Sequence, residues 1–586
     1  MAQPQFCRGT ALVSGHTSGP ILVSDLELSF WGGVSPQTGE IIDRHHPLSG
    51  KSIENTILAI PDGRGSCSGS GVLLELLLNG KGPKALVFSR PEAILTLGVI
   101  VARELFGNSI PVVELAAVDF GKVATAGCAR VSGGKVSWGD LSHPLMRQEN
   151  TPDTAFPRTL DGMESSRLSE LDKAYLDGCY GEASAAAMRI ILEMSRLQGA
   201  QELIDVTQVH IDGCVYTGPG SLAFAEKLRD MGGKVVVPTT LNSVSVDQRR
   251  WRAQGVESTF GTAAENLAQA YVDMGAQPTF TCAPYLLDSA PKRGDQIAWA
   301  ESNAVVYANS VLGARTIKYP DFLDIAIALT GRAPYGGLHV AENRSATLCV
   351  SLGKHIASVI YDDLYYPVLG YTVGRISRDR IPVLLGLEVS SPSKDDLKAF
   401  GAAFATVSSA PMFHMVGVTP EAFSLEAVLR ENTQVQAVDL RSQQLYASLE
   451  SLNSPEELQA VDLVSLGNPH FSLPEVRKLA GLCKGRTKSS GVAIVVTCGR
   501  STYGLATQSG LIAELETFGV QFVEDTCWCM IGEPIIPPDA KVIMTNSAKY
   551  AHYGPGLTGR SFRLGGLRDC VDAACSGVHD RMKATL

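Results

Sequence analysis

Residues 60–71 read IPDGRGSCSGSG, and an apolar run, VLLELLL, follows at residues 72–78. The glycines of the first run allow positive φ and a close approach of the backbone to a ligand. The apolar run predicts a helix, and the free N–H groups at its beginning could hold an anion. The stretch therefore predicts a loop that presents a serine to a carboxylate-bearing substrate. A loop that merely turns the chain is the alternative, because short motifs of this kind often match by accident.

The composition indicates a large globular protein. The chain has 586 residues, 45% of them hydrophobic and 19% charged, and at ~150 residues per domain this length predicts about four units. A net charge of -10, without a basic block, argues against binding to nucleic acid or to an anionic membrane. The first eight residues lack the layout of a signal peptide, and no apolar run reaches the ~18 residues of a membrane span. We therefore expect a cytoplasmic protein.

Changes in composition predict the domain boundaries. Residues 1–140 are rich in glycine, valine and short strand-like runs, which predicts a small α/β domain. Residues 141–167 turn to Ser, Pro, Thr, Arg and Glu without periodicity, as is typical of a linker. From residue 168 to residue 586, helical patterns alternate with short apolar strands, which predicts a larger α/β region.

Chemically active residues follow the predicted strands of the larger region. These strands are expected at residues 277–281, 461–466, 492–497, 520–526 and 541–545. Cys282, Asn468, Cys498, Cys527 and Asn546 follow at or near their ends. Since ligands of open parallel sheets bind beyond the carboxyl ends of the strands, several of these ends could meet at one site.

The chain contains thirteen cysteines. An odd number in a protein expected to be cytoplasmic does not suit a disulfide framework. A free cysteine usually behaves as a small buried hydrophobe. That interpretation is the favoured one for Cys7, Cys179, Cys349, Cys483, Cys570 and Cys575.

Taken together, the motifs of the chain resemble those of the aconitase X family, which belongs to the aconitase superfamily of dehydratases and isomerases. Residues 63–66 match the Gly-x-Gly-Ser loop of that family's small domain. The large part is matched by His210–Gly213, Val237–Asn242, Thr281–Tyr285, Ala298–Ala304, Asn309–Arg315, Thr330–His339, Asp525–Cys527 and Thr545–Lys549. Each piece is weak alone, but together they span nearly the whole chain.

The resemblance implies an aconitase-like α/β fold, in which a small swivelling domain is fused to a larger multi-layer body with parallel sheets. Single-chain members of the family resemble dehydratases of cis-3-hydroxy-L-proline, which yield Δ1-pyrroline-2-carboxylate with an iron or iron–sulfur centre as Lewis acid. One alternative is a dehydratase of mevalonate 5-phosphate, which several Lys or Arg around the site would favour. Another is a non-catalytic iron–sulfur binding or regulatory protein.

The resemblance also implies metal ligands. Dehydration of a β-hydroxy acid needs a base for the α-proton and a Lewis acid for the departing hydroxyl. Cys282 and Cys527 are the expected thiolate ligands, and Cys498 is the expected third, with a buried structural thiol as its alternative. Cys529 and Cys214 remain further candidates. The expected cofactor is an iron–sulfur cluster, with a [2Fe–2S] cluster favoured, or a mononuclear iron.

The sequence departs from the archaeal pattern of the family at one position. Archaeal members have Gly-Cys-Pro-His where this chain has Gly467-Asn468-Pro469-His470. One family cysteine ligand is thus absent. The departure implies a smaller or differently held iron centre, or a substitute cysteine.

Ser66 is the expected base, activated by Arg64 and by the beginning of the following helix. Arg64 could instead bind the substrate carboxylate or remain a solvated loop cation. The expected partner is a small hydroxyproline-like amino acid. About half of a set of polar residues should contact it or support those that do, while the others cap helices or hold strand ends. That set is Glu301, Ser302, Asn303, Asn309, Ser310, Arg315, His339, Asn546, Ser547 and Lys549.

Overall fold

The computed structural model describes residues 5–43, 46–64, 66–123, 127–139, 167–353, 363–388, 390–430, 435–454 and 460–579. The chain divides into two compact units. Unit 1 comprises Met1–Thr239, Ala270–Ala276 and Tyr319–Gly337, and unit 2 comprises Thr240–Gln269, Gln277–Lys318 and Leu338–Leu586. The predicted linker 141–167 lies outside the described residues except for its last residue, Arg167. The predicted boundaries at residues 140 and 168 stay predictions.

The described strands are β1 (Gln5–Arg8), β2 (Thr10–Val13), β3 (His16–Val23), β4 (Ile57–Ala59), β5 (Ala85–Phe88), β6 (Val112–Glu114), β7 (Cys128–Ser132), β8 (Lys135–Trp138), β9 (Leu203–Asp205), β10 (Val209–Ile211), β11 (Thr239–Leu241), β12 (Ala298–Trp299), β13 (Arg332–Pro334), β14 (Leu348–Leu352), β15 (Pro382–Leu385), β16 (His414–Met415), β17 (Gln436–Leu440), β18 (Leu463–Phe471), β19 (Ala493–Cys498), β20 (Val520–Glu524), β21 (Val542–Thr545) and β22 (Ser561–Leu564).

The described α-helices are α1 (Gly69–Leu78), α2 (Ile94–Phe106), α3 (Ala117–Val123), α4 (Glu170–Leu176), α5 (Glu182–Leu197), α6 (Pro219–Asp230), α7 (Ser258–Asp273), α8 (Ser302–Tyr307), α9 (Leu323–Ala328), α10 (Tyr365–Ser377), α11 (Lys394–Val407), α12 (Ser442–Ser451), α13 (Leu473–Cys483), α14 (Arg500–Gln508), α15 (Leu511–Phe518), α16 (Ala548–Thr558) and α17 (Leu567–Ser576). A π-helical turn covers Ala308–Leu312, and a 3₁₀ turn covers Pro284–Leu286. In the part of the chain that the structure describes, no helix is long and apolar enough to cross a membrane.

Unit 1 contains a mixed sheet with the strand order β1-β8-β7-β3-β4-β5-β6-β2. Strands β3 to β6 run parallel. Strands β7, β8 and β1 continue the sheet antiparallel on one side, and β2 does so on the other. Parallel neighbours need crossover connections, and helices α1 and α2 lie in two of them. The α/β character predicted for the beginning of the chain is confirmed.

Helix α1 follows the glycine- and serine-rich loop, as predicted, and begins at Gly69 rather than at Val72. Its residues from Gly69 to Leu77 are all buried, as expected for a helix that is apolar on every side. A Cβ on Gly98 of α2 would lie 2.8 Å from the carbonyl oxygen of Ser70. Glycine at this position therefore allows α2 to approach the first turn of α1.

Unit 2 contains two sheets that are parallel throughout. One has the strand order β16-β15-β14-β17 and the other the order β20-β19-β18-β21-β22. The second sheet confirms the predicted strands at residues 461–466, 492–497, 520–526 and 541–545 within a few residues. The predicted strand at residues 277–281 is wrong. Gln277 makes an isolated bridge with Thr240, and the residues after it form no ladder.

Candidate active site

Three cysteines influence one another's charge in unit 2. Cys527 and Cys529 follow β20, and Cys282 precedes the 3₁₀ turn at Pro284–Leu286. The thiols of Cys527 and Cys529 interact, and this interaction raises the pKa of Cys527 and lowers the pKa of Cys529. Burial, and next the charge of Cys527, raise the pKa of Cys282. Of the two neighbouring thiols, Cys529 is therefore the one that loses its proton more readily, and the thiolate is the form that binds metals.

A partly buried ion pair accompanies the three thiols. Lys549, in the first turn of α16, places Nζ 2.8 Å from Oε1 of Glu301. Burial disfavours the charge on Lys549, but Glu301 and the sulfurs of Cys529 and Cys282 raise the pKa of Lys549 well above its usual value. Burial likewise disfavours the Glu301 carboxylate, and Lys549 nevertheless holds its pKa below the usual value. The ammonium group stays charged and favours the thiolate forms of its sulfur neighbours.

Asn303 links Glu301 to the segment that carries Cys282. Its Nδ2 donates to the carbonyl oxygen of Cys282 over 3.1 Å and also to Oε2 of Glu301. The Tyr285 hydroxyl donates to Asn303 Oδ1 over 2.8 Å. Glu301 Oε2 accepts from the N–H of Ala304 over 2.8 Å and thereby caps α8. These bonds fix both predicted site residues beside Cys282.

Cys282, Cys527 and Cys529 are called the thiol cluster below. The side chain of His470 joins two of the segments that carry it. Its Nε2 lies 2.7 Å from the carbonyl oxygen of Thr526, and its Nδ1 lies 3.1 Å from Oγ1 of Thr281. Because a carbonyl only accepts, Nε2 carries the proton and Nδ1 accepts from the threonine hydroxyl. The backbone N–H of His470 also donates to Cys282 Sγ over 3.4 Å. His470 therefore holds the residues just before Cys282 and Cys527 in fixed positions.

Asn468 stands where the archaeal pattern has cysteine, and it contacts the same cluster. Its Nδ2 lies 3.4 Å from the sulfur of Cys529 and donates to it. Its buried Oδ1 has no hydrogen-bond partner among the residues that the structure describes. The Ser547 hydroxyl donates to the carbonyl oxygen of Asn468 and accepts from the N–H of Tyr550 over 3.2 Å. Ser547 thus caps α16 and supports Asn468.

Cys498 has other neighbours. It is the last residue of β19 and is buried within the hydrophobic core of the five-stranded sheet. Burial, and next the charge of Glu524, raise the pKa of Cys498. Within the described residues its charged neighbours include Glu524 and Arg250, whereas Cys529 is the thiol that contacts Cys527. The expectation that Cys498 is the third ligand stays a prediction that these contacts do not support.

The thiol cluster fits an iron–sulfur centre by its donor chemistry. Three sulfurs, one of them with a lowered pKa, lie near a cation, and the unpartnered Oδ1 of Asn468 offers a further donor beside Cys529. Among the described residues, no group of three or more His, Cys, Asp or Glu side chains is arranged as a site for a metal ion. The fit therefore concerns the identity of the donors and not a coordination geometry.

Four other predicted site residues form a separate polar group. Asn309 Oδ1 accepts from Thr316 N and from Arg344 Nη1, each over 3.1 Å. Arg315 Nη1 donates to the carbonyl oxygen of His339 over 3.3 Å. Ser310 Oγ accepts from the N–H of Phe413 over 2.9 Å.

Within this group, His339 Nδ1 lies 2.6 Å from Gln296 Oε1. Burial, followed by the charges of Arg344 and Arg315, lowers the pKa of His339 to about 4. The bonds of Asn309, Ser310, Arg315 and His339 hold together the π-helical turn and its surroundings, so their described contacts are structural. Their predicted role in substrate binding remains untested.

Ser302 and Asn546 complete the predicted set. Ser302 is buried at the beginning of α8, one residue after Glu301. Asn546 is partly buried and directly follows β21, three residues before Lys549. Both therefore lie on the segments that carry the ion pair.

Ser66 and Arg64 lie in unit 1, in the loop before α1. Ser66 Oγ is 3.2 Å from Ser68 Oγ, and the N–H of Ser68 donates to Ser66 Oγ over 3.3 Å. Arg64 forms an ion pair with Asp43, with 2.8 Å between Nη2 and Oδ2, and its side chain is 40% exposed. The described contact of Arg64 is thus with a carboxylate, and activation of Ser66 by Arg64 stays a prediction.

Two residues contact predicted site residues more closely than the sequence motifs indicate. Cys529 is expected only as a further metal candidate, and the sequence signal for it is the Cys527-Trp528-Cys529 spacing. Asp212 belongs to the His210–Gly213 motif without an expected role, yet Ser68 Oγ donates to Asp212 Oδ2 over 3.5 Å. Cys214, a further metal candidate, lies in unit 1 near Asp212 and Asp324, whose charges add to burial in raising its pKa.

Comparisons with known proteins cover nearly the whole chain. Family models match residues 6–137 as the aconitase X swivel domain, 165–342 as the first domain, 346–450 as the second domain and 461–576 as the third domain.

Two relatives carry the same name. A protein of Hypocrea jecorina (strain QM6a) named cis-3-hydroxy-L-proline dehydratase is 64% identical over 573 residues, which cover 98% of this chain and 96% of that protein. A protein of the same name from Pseudomonas aeruginosa is 51% identical over 567 residues, which cover 97% of this chain and 96% of that protein.

A solved structure supports the same family as the family models and the two relatives. The crystal structure of Thermococcus kodakaraensis aconitase X in its holo-form has 30% sequence identity and a TM-score of 0.62, and the match covers 70% of this chain and 99% of that one. The aconitase-like α/β fold and the hydro-lyase class implied by the motifs are confirmed. The chain belongs to the aconitase X family, and it is a dehydratase of that family.

Proposed function

We propose that the protein dehydrates cis-3-hydroxy-L-proline to an enamine that tautomerises to Δ1-pyrroline-2-carboxylate. The observation that carries the proposal is the thiol cluster with its partly buried Lys549–Glu301 ion pair, in a chain that is 64% and 51% identical to two proteins named for this reaction. The expected partner is therefore a small amino acid, and the expected place of the reaction is the cytoplasm.

Cys282, Cys527 and Cys529 would hold an iron–sulfur cluster. When bound, such a cluster supplies a Lewis acid that polarises the departing hydroxyl group. Lys549 favours the thiolate forms of the cysteines, because its ammonium group is kept charged by Glu301. Asn468 donates to Cys529 and replaces the family cysteine as a neutral neighbour. These roles follow from charge and hydrogen bonding.

Ser66 would accept the α-proton of the substrate. Its oxygen receives a hydrogen bond from the N–H of Ser68, which stabilises negative charge on that oxygen. Ser66 first gives up its own proton, and the resulting alkoxide takes the α-proton, which restores the serine hydroxyl. The electron pair left on the α-carbon becomes the double bond of the enamine as the β-hydroxyl leaves as hydroxide. The hydroxide combines with the proton that Ser66 gave up, so one water is released.

The alternative substrate, mevalonate 5-phosphate, requires cations for its phosphate group. Among the described residues, Lys549 is a cation beside the thiol cluster, and it is already paired with Glu301. A non-catalytic iron–sulfur protein is disfavoured because the two most similar relatives reported above are named as dehydratases.

The test is an anaerobic preparation assayed with the stereoisomers of 3- and 4-hydroxyproline and with mevalonate 5-phosphate. The proposal is supported if Δ1-pyrroline-2-carboxylate forms from cis-3-hydroxy-L-proline and from none of the other compounds. Turnover of mevalonate 5-phosphate, or no turnover by a protein that contains iron, contradicts it.

A further inference from the structure

A chain of hydroxyl and carboxyl groups leads from Ser66 into the interior of unit 1. Ser66 Oγ is 3.2 Å from Ser68 Oγ, and Ser68 Oγ donates to Asp212 Oδ2 over 3.5 Å. Asp321 lies beside Ser68 and Asp212, close enough for the charge of Asp212 to raise its pKa. Ser68, Asp212 and Asp321 are each 3% exposed. Bulk water therefore does not substitute for any of these three contacts.

Asp324 holds the backbone around Asp212 and Asp321 in place but is not itself part of the series of side chains that leads from Ser66. Its Oδ2 accepts from the N–H groups of Asp212 (2.7 Å) and Gly213 (3.2 Å). Its Oδ1 accepts from the N–H groups of Phe322 (3.0 Å) and Ile325 (2.7 Å). Phe322 has a φ of 83°, an unfavourable conformation for a bulky residue. The four bonds hold that turn and so position Asp321 opposite Asp212.

The pair of carboxyl groups, Asp212 and Asp321, sets the direction in which the hydroxyl groups of Ser66 and Ser68 donate their hydrogen bonds. Two neighbouring buried carboxyl groups disfavour each other's charge, so one of them tends to be neutral. Burial, and next the charge of Asp212, raise the pKa of Asp321 well above its usual value, so Asp321 is the neutral member of the pair. Asp212 is then the carboxylate that accepts from the Ser68 hydroxyl. The Ser68 oxygen is left to accept from the hydroxyl of Ser66.

We propose that Asp212 acts through Ser68 to draw the proton from Ser66 and so prepares Ser66 as a base. This inference rests on the proposed function, in which Ser66 removes the α-proton. The Ser66 proton moves to Ser68 Oγ while the proton of Ser68 moves to the Asp212 carboxylate. The substrate C–H bond then breaks, its proton binds to Ser66 Oγ, and its electron pair remains on the substrate. The proton left on Asp212 balances the hydroxide lost by the substrate, so the sum is one water.

Asp212 and Ser68 are positioning residues in this scheme, because neither needs to touch the substrate. The arrangement resembles the logic of a nucleophile whose activating group is itself oriented by a carboxylate. Asp321 differs from Asp212, since it is retained as a neutral acid and serves to hold the carboxylate in place.

The experiment compares Asp212→Asn, Ser68→Ala and Asp321→Asn in the full-length, iron-loaded protein. Exchange of the substrate α-hydrogen with deuterated solvent reports proton transfer apart from loss of the hydroxyl. Asp212→Asn and Ser68→Ala should each lower kcat and exchange by at least ~10²-fold, the low end for a positioned general base, with KM nearly unchanged. Asp321→Asn keeps a neutral side chain, so its fold-decrease in kcat and in exchange should be at least ten times smaller than that of Asp212→Asn.

Ser70→Ala is the matched control. The Ser70 hydroxyl donates to the carbonyl oxygens of Cys67 (3.1 Å) and Asp321 (3.0 Å), so its removal costs buried hydrogen bonds in the same region. It makes no described contact with Ser66, and its exchange rate should stay near that of the wild-type protein. Thermal unfolding and iron content show whether each variant remains folded and loaded.

The outcomes separate this inference from the proposed function. No formation of Δ1-pyrroline-2-carboxylate from cis-3-hydroxy-L-proline by the iron-loaded wild-type protein refutes the proposed function. Exchange by the wild-type protein together with near-normal exchange by Asp212→Asn or by Ser68→Ala refutes the inference alone. If Asp212→Asn does not fold, Ser68→Ala decides, because it leaves both carboxyl groups in place. Equal losses in Asp212→Asn, Asp321→Asn and Ser70→Ala would assign a purely structural role and also overturn the inference.

Discussion

His470 Nε2 donates a hydrogen bond to the carbonyl oxygen of Thr526 over 2.7 Å, and the same ring accepts a bond from Thr281. Thr281 immediately precedes Cys282, and Thr526 immediately precedes Cys527. One buried imidazole therefore sets the separation of two cysteines that are far apart in the sequence. The thiol cluster depends on this side chain as well as on its sulfurs.

His470→Ala should lower both stability and iron retention. Loss of two buried hydrogen bonds and creation of a cavity should cost about 2–4 kcal/mol of unfolding free energy. Iron per chain, measured after dialysis against a chelator, should fall below the wild-type value. His16→Ala is the control, since His16 lies exposed on β3 and bonds Ser132. An iron content equal to that of the wild-type protein would show that the two segments do not need the imidazole.

The third sulfur ligand can be identified by alanine substitution. Cys282→Ala, Cys527→Ala and Cys529→Ala should each lose iron and sulfide, because each removes a thiol of the cluster. Cys498→Ala should keep both, since Cys498 packs in the hydrophobic core. Cys179→Ala, at an exposed cysteine, is the control. Iron loss in Cys498→Ala with full retention in Cys529→Ala would reverse the assignment.

Ser66→Ala should leave folding and iron content intact. If Ser66 removes the α-proton, kcat should fall by at least ~10²-fold, and exchange of the α-hydrogen with deuterated solvent should fall in parallel. Ser52→Ala, at an exposed serine of the same unit, is the comparison. Near-normal turnover and exchange in Ser66→Ala would place the base elsewhere in the chain.

His339 should contribute to acid sensitivity. Its folded pKa is about 4, below the ~6.5 of an unfolded histidine, so the folded protein binds fewer protons between these values. The stability that depends on the neutral ring is present above about pH 6.5 and is lost as the pH falls towards 4, by about 3 kcal/mol in all. His339→Asn, which retains a donor towards Gln296, should flatten the pH dependence of unfolding over this range. An equally steep slope in His339→Asn would refute the assignment.

The sequence predicted local elements better than long-range contacts. The apolar runs that became β18, β19, β20 and β21 are buried strands, whose composition reflects burial on both faces. Residues 277–281 are also apolar and β-branched in part, yet they form no ladder. Pairing depends on a partner strand, and the local pattern does not contain that information.

The candidate site shows the same limit. Cys282 and Cys527 could be named because their motifs are local. The contact of Ser68 with Asp212 joins residues 144 positions apart, and which carboxyl groups surround a buried serine follows from folding alone. The choice between Cys498 and Cys529 likewise depended on which way a chain segment turns after its strand.

Helix α1 has no side that faces solvent: its residues from Gly69 to Leu77 are buried, α2 approaches it at Gly98, and Glu75 Oε2 accepts from the N–H of Gly220 over 2.6 Å. A helix enclosed in this way has no free edge from which to fray, so its amide hydrogens should exchange with solvent only when unit 1 unfolds as a whole. The serine-containing loop that ends at this helix is therefore anchored to a rigid element. The position of that loop depends on the cooperative stability of the whole of unit 1.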